Sequence, residues 1–273
     1  MNILRKNYIF QYSWFYYSPD PLAEHTMNKS DFLPPILLKA YKRFQLQYKF
    51  KNSTGLNGLD LKLIDSIAPN RNGFYVELGA NNGISQSNTF KLQKVWNWSG
   101  LLIEPSPIRY AECVANRSFA NKPQIRCAAC VPFDYSEKFV EIDYVDLMSV
   151  ARGLDVSDLS ASAHADLGEQ FLDSTLRHTY GALARTLTSL LDEVNAPLSF
   201  DLLSLDVEGN EHAVLKGLDF NRYQPKWILV EVRQVDHLIS CLLESNGYIE
   251  YKRLSENSRY SDILFRKRNN LAS

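Results

Sequence analysis

The chain has 273 residues, with 30 basic and 31 acidic side chains and a formal net charge of -1. That balance excludes a global field that would draw it to nucleic acid or to an anionic membrane, and no apolar run approaches the roughly 18 residues that suggest a membrane span. The 45% apolar content suits a folded core, and the cysteines Cys113, Cys127, Cys130 and Cys241 follow no secreted framework, so a soluble, cytoplasmic protein is expected.

Met1 to Tyr17 is broken by Arg5, Lys6, Asn7, Gln11 and Ser13, with no small-x-small site after it, and does not read as a signal peptide. Residues 1–55 read as an N-terminal extension. Within it, Ile36, Leu37, Ala40, Tyr41 and Phe44 recur at helical spacing and predict an amphipathic helix over Pro35 to Lys51. Residues 56–273 form the main domain. From Phe74 onward strand and helix alternate: a strand over Phe74 to Leu78, a helix over Ser87 to Trp96, a strand over Gly100 to Glu104 and a helix over Ile108 to Arg117. A third strand is expected over Gln124 to Val131, and alternation at this pitch indicates a parallel α/β sheet with crossover helices. Lys138 to Val145 alternates as an antiparallel excursion would. Residues 147–182 are small, polar and weakly periodic, and read as a long substrate loop inserted in the domain. Regularity returns with a helix over Leu183 to Val194, a strand over Phe200 to Asp206 and a helix over Asn210 to Gly217. A strand over Trp227 to Val232, a helix over Val235 to Ser245 and a terminal strand pair, Tyr248 to Leu254 with Ser261 to Arg266, complete the reading.

The first strand runs into Glu77-Leu78-Gly79-Ala80-Asn81-Asn82-Gly83, an acid followed by a Gly-x-x-x-Gly turn. Glycines there permit positive φ and close approach of a ligand to backbone. A Walker A loop would need Gly-Lys-Ser/Thr, and a dinucleotide fingerprint Gly-x-Gly-x-x-Gly; neither is present. A loop without a phosphate-grasping Lys suits a ligand with a ribose and no phosphate, and S-adenosylmethionine is the candidate. Glu104, closing the second strand, can accept both ribose hydroxyls. The strand Phe200 to Asp206 opens onto Asp206-Val207-Glu208-Gly209-Asn210-Glu211, where ligands of open α/β sheets gather. Glu208 or Asn210 could cap the following helix, whereas Asp206 at a strand end would be costly without a partner. Cys127-Ala128-Ala129-Cys130 lacks the two further ligands of a zinc site and reads as small residues filling a strand end.

These motifs, Val-Glu-Leu-Gly-Ala-Asn-Asn-Gly followed by Ser87-Asn88-Thr89, then Leu-Leu-Ile-Glu-Pro, then Leu-Asp-Val-Glu-Gly-Asn-Glu with Val214-Leu215-Lys216-Gly217, resemble the FkbM family of S-adenosylmethionine-dependent methyltransferases. The resemblance covers roughly residues 70–268. It implies a class I methyltransferase (Rossmann-like) fold, seven strands mostly parallel with the last antiparallel and helices on both faces, acting on a hydroxyl of a sugar, glycolipid or related natural product. It makes Glu77, Gly79, Ala80, Asn81 and Gly83 the methionine and ribose loop and Glu104, followed by Pro105, the ribose clamp, with Ser106 and Ala128 bordering adenine. Asn82 departs from the Asp that many members carry, removing a charge near the sulfonium.

Methyl transfer to a hydroxyl needs in-line approach and a group to take the proton. The candidates are Asp206, Glu208, Glu231 at the end of the next strand, and a histidine, with His178 and His164 in the long loop placed better than His212. Asp206 and Glu231, on neighbouring strand ends, could instead hold Mg²⁺. The expected partner is a small-molecule or carbohydrate acceptor, including polysaccharide, and no nucleic acid. N-methylation, a lipid or peptide acceptor, and a non-catalytic interaction module are the alternatives.

Overall fold

Residues 53–118, 121–154, 163, 166, 177–233, 236–257 and 259–268 are described by the structure, a computed structural model. The helix expected over Pro35 to Lys51 and the side chain of His164 lie outside the described residues.

Strands β1 (Phe74–Leu78), β2 (Ser99–Ile103), β8 (Leu202–Leu205) and β9 (Trp227–Val232) are nearly continuous apolar runs buried along most of their length. Strands of that pattern are covered on both faces. They pair in parallel, with β3 (Gln124–Arg126) beyond β2, while β11 (Ser261–Lys267) runs antiparallel between β9 and β10 (Tyr248–Glu256). The order β10-β11-β9-β8-β1-β2-β3 gives the expected seven-stranded, mostly parallel sheet with an antiparallel last strand.

Alternation along each strand divides the core. Val76, Leu78, Leu203 and Val230 pack toward helices α4 (Leu187–Glu193), α5 (Glu211–Lys216) and α6 (Asp236–Ser245). Tyr75, Leu102, Leu202 and Leu229 pack toward α1 (Leu59–Ile67), α2 (Phe90–Trp96) and, through Cys113, α3 (Pro107–Asn116). Each fully buried aliphatic side chain contributes about 1.5–3 kcal/mol, so these two layers hold the sheet. The α1 helix was not anticipated, although Leu59, Leu63 and Ile64 bury one stripe of it.

Three expected elements depart from their expected bounds by more than two residues at one end. The helix expected from Ser87 begins at Phe90, because Ser87, Asn88 and Thr89 turn inward to hydrogen-bond Glu77. The strand expected over Gln124 to Val131 is broken at Cys127-Ala128: β3 ends at Arg126, whose carbonyl accepts from Glu104 N, and β4 (Ala129–Cys130) joins a second sheet. The helix expected from Leu183 begins at Leu187, since His178–Arg185 forms strand β7.

That second sheet, β4-β7-β5-β6, includes β5 (Phe139–Tyr144) and β6 (Val150–Ala151) and contains the expected antiparallel excursion. The stretch 147–182 is therefore not loop throughout. Val140, Ile142 and Ala182 bury the sheet's inner face.

Candidate active site

Outside the carboxyl ends of β1, β2 and β8 lies a cleft of about 910 Å³, including its solvent-filled mouth. Gly79, Asn81, Glu104, Pro105, Ala128, Asp206 and Glu208 line it, and the second sheet adds Ile142 and Ala151, with Asp146 from the turn between β5 and β6. Among the described residues four of the lining side chains are carboxylates, those of Glu104, Asp146, Asp206 and Glu208, and none is basic.

The turn after β1 is fixed before any ligand arrives. Gly79 N and Ala80 N donate to Ile103 O, tying the turn to β2. Gly79 has φ +75, and Asn81 is also left-handed at φ 46. Asn81 N donates to Glu104 Oε2 at 2.7 Å, and Ser106 N donates to Glu104 Oε1 at 2.8 Å. Each Glu104 oxygen thus has one backbone donor and a lone pair to spare. Burial pushes Glu104 up to about 7, against the pull of those two N–H groups and of Arg109.

Asn82, the departure noted in the sequence, does not line the cleft. Its side-chain oxygen accepts from Ile84 N at 3.0 Å and Ser85 N at 2.8 Å, closing the turn from within. An Asp would accept the same two bonds, so the amide preserves the loop's internal geometry. Gly83 also serves packing: a Cβ there would meet Cys113 Sγ at 2.8 Å and Arg117 Cγ at 3.0 Å.

Glu77 is placed behind the cleft, not in it. Its carboxylate accepts from Ser87 Oγ, Asn88 N and Thr89 Oγ1, and it pairs with Arg117 at 3.2 Å. Arg117, completely buried, also donates to Gly83 O, Gln93 Oε1, Ser87 Oγ and Thr89 Oγ1. Sequence reading missed Arg117. The available signal was the acid inside an apolar strand, which requires a buried cation or a set of donors.

At the end of β8 the chain turns sharply, with Glu208 left-handed at φ 58 and Gly209 at φ 101. Asn210 stands at the cap of α5 without a side-chain cap bond, and Glu211 instead closes the preceding turn, its Oε1 accepting from Val207 N at 3.0 Å and Gly209 N at 3.1 Å. Glu211 points back because its side chain is buried beneath this turn. Burial lifts it to about 7 despite those bonds. Asp206 is raised well above the usual carboxylate range by burial, then by Glu231, Glu208 and Glu211, with Arg233 opposing.

Glu231 is buried and does not line the cleft. Arg233 pairs with it at 2.7 Å and with Glu208 at 2.5 Å. Burial pushes Glu231 up to about 8 while Arg233 pulls it down. The cation beside these acids is therefore an arginine, and no group of three or more His, Cys, Asp or Glu among the described residues is arranged to hold a metal. The Mg²⁺ reading of Asp206 and Glu231 accordingly has no ligand set behind it.

Ser106 caps α3, accepting from Arg109 N at 3.4 Å, and stands just outside the lining. His178 opens β7 in an exposed position, its ring 4.9 Å from that of Tyr144, away from the lining residues. His212 lies on α5, also outside the lining. Cys127 lies in the break between β3 and β4 and Cys130 in β4, both as free thiols. Arg109, on α3, pairs with the lining residue Asp146 of the turn between β5 and β6.

A family model described as "Methyltransferase FkbM domain" matches residues 77–250. No curated protein matches the chain significantly. Among solved structures, a methyltransferase FkbM from Methylobacillus flagellatus KT is 14% identical with a TM-score of 0.46, over 84% of this chain and 52% of that one. A protein of the NADB-Rossmann superfamily from Streptococcus agalactiae is 12% identical with a TM-score of 0.45, over 81% of this chain and 73% of that one. Magnesium protoporphyrin IX methyltransferase from Synechocystis PCC 6803, with bound SAM, is 9% identical with a TM-score of 0.42, over 90% and 87% of the two chains.

Proposed function

The chain belongs to the FkbM methyltransferase family, whose members depend on S-adenosylmethionine, and from that premise we propose that it methylates a hydroxyl of a carbohydrate or glycoconjugate in the cleft above β1, β2 and β8. The observation that carries this reading is the pairing of a backbone-held Glu104 with a cleft whose charged lining side chains, among the described residues, are all carboxylates. The residues fit the cofactor. Glu104 has lone pairs for a ribose diol, Gly79 brings bare backbone to the same edge, and the carboxylates favour a cation. When bound, the cofactor supplies an electrophilic methyl group on a sulfonium.

The protein's own groups do the rest. Glu104 and the turn Gly79–Asn81 hold the ligand, with Pro105 and Ala128 flanking the cleft on the β2 and β3 side. Asp206 offers a carboxylate to a hydroxyl proton, and the lining has no basic group among the described residues to attract a phosphorylated acceptor. Acceptor choice falls to residues 1–55 and 147–182; Leu147, Ser149, Ala151 and Leu154 of the second segment support this by lining the cleft. The test is transfer of labelled methyl from S-adenosylmethionine to a panel of neutral oligosaccharides and glycolipids. Ether-linked label on sugar oxygen, lost in Asp206→Asn, is expected. Label appearing only on amines, or on lipid or peptide acceptors, would overturn the carbohydrate hydroxyl assignment.

A further inference from the structure

Three carboxylates and one guanidinium meet where β8 and β9 end. A single nitrogen of Arg233, Nη2, lies 2.5 Å from Glu208 Oε2 and 2.7 Å from Glu231 Oε1. Asp206 lines the cleft, and its carboxylate makes no hydrogen bond or ion pair among the described residues. Around it stand Glu208 and Glu211 from the turn and helix after β8, and Glu231 and Arg233 from β9 and its exit. Beyond them are Asp262, paired with Glu231 across β9 and β11, and Tyr260 from the turn before β11.

We propose that Asp206 is the catalytic proton acceptor and that Arg233 is the positioning residue that reserves it: by holding Glu208 and Glu231, the guanidinium leaves Asp206 as the carboxylate facing the cleft with nothing bound. This rests on the methyltransferase reading above. The sequence alone named Asp206, Glu208 and Glu231 as carboxylate candidates, and the ion pairs separate them.

A consequence follows from charge. Three crowded carboxylates that share one cation keep a proton among them. Burial and the neighbouring Glu231 and Glu208 move Asp206 in that direction. A sulfonium in the cleft is a second cation, so its arrival expels the proton and leaves Asp206 ionised. As the acceptor oxygen forms its bond to the methyl carbon, the carbon–sulfur bond breaks with its electron pair on sulfur, and the positive charge there disappears. The oxygen's proton passes to Asp206, and then to water at the cleft mouth. The base thus strengthens as the reaction removes the charge that had ionised it.

The experiment needs no acceptor. Calorimetric titration at about pH 6.5, where the α-amino group of either ligand is protonated, is run in two buffers of different ionisation enthalpy to count protons released. S-adenosylmethionine and S-adenosylhomocysteine are compared, so any proton from Glu104 cancels. The sulfonium ligand is expected to expel up to about one proton more per site than the thioether. Asp206→Asn should erase the difference while both ligands still bind. In Arg233→Met the pH above which the difference vanishes should rise by about one unit, and Arg233→Lys should restore it. Equal proton counts in the wild type, or a difference that survives in Asp206→Asn, would overturn the proposal alone. A wild type that binds neither ligand would overturn the methyltransferase reading with it.

Discussion

A Cβ on Gly79 would stand 1.9 Å from the carbonyl oxygen of Asp206, so the turn after β1 and the end of β8 interlock through space that any side chain would fill. The glycine that brings backbone to the ligand also sets the base's strand against it. Gly79 carries φ +75 as well, so Gly79→Ala meets both a clash and a strained backbone. The substitution should cost about 2 kcal/mol or more in urea denaturation. It should also weaken S-adenosylhomocysteine binding at least about tenfold by calorimetry, because the two loops part.

Glu77 acts through its bonds to the turn Ser87–Thr89 and to Arg117. Removing one member of a buried pair leaves an uncompensated charge and costs about 3–5 kcal/mol. Arg117→Met should therefore lower the midpoint of chemical denaturation sharply although Arg117 is outside the cleft lining. If Arg117→Met instead has wild-type stability and reduced cofactor affinity, Glu77 and Arg117 belong to the ligand site and not to its scaffold.

Glu104 should impose a pH dependence on cofactor affinity. Ribose hydroxyls donate to its ionised form, and burial has lifted it to about 7. Affinity should then fall as pH drops below about 7, by up to about tenfold per unit. In Glu104→Gln the affinity should be low, and its dependence on this group should be gone; a parallel pH profile in wild type and variant would exclude Glu104 as the clamp.

The acid cluster predicts the sign of a stability change in the free protein. Glu104 and Glu211 are raised from 4.5 to about 7, and Glu231 from 4.5 to about 8. Between those limits the folded state binds more protons than the unfolded chain, so this contribution to stability is present at low pH and is lost as pH rises. Urea denaturation at pH 5.5, 6.5, 7.5 and 8.5 should show stability declining by at least about 1 kcal/mol over the series. A rise would mean that the cluster is ionised and paired in the folded state.

The sheet was legible in the sequence because strands covered on both faces read as nearly continuous apolar runs, as β2 and β8 do. Glu104 was legible because an acid ending such a strand has few structural reasons to be there. The second sheet was not: β4 and β6 are two residues long, too short to show a period, and β7 pairs with β5 across a stretch that lacks apolar alternation. Arg117 and Arg233 were missed for a different reason. An arginine's partner is set by tertiary approach, and nothing near Arg117 in sequence announces Glu77. Glu211 was missed although Val207 and Gly209 lie close in sequence, because its neighbours Glu208 and Asn210 looked like better caps until the left-handed turn at Glu208 was seen.

The central claim is that this cleft is the methyl donor's site, and a crystal structure with S-adenosylhomocysteine tests it most directly. The account predicts the ribose hydroxyls on Glu104, the ligand's backbone-facing edge on Gly79, and the purine on the Pro105 and Ala128 side of the cleft. Ligand density elsewhere, or a ribose that leaves Glu104 untouched, would contradict it.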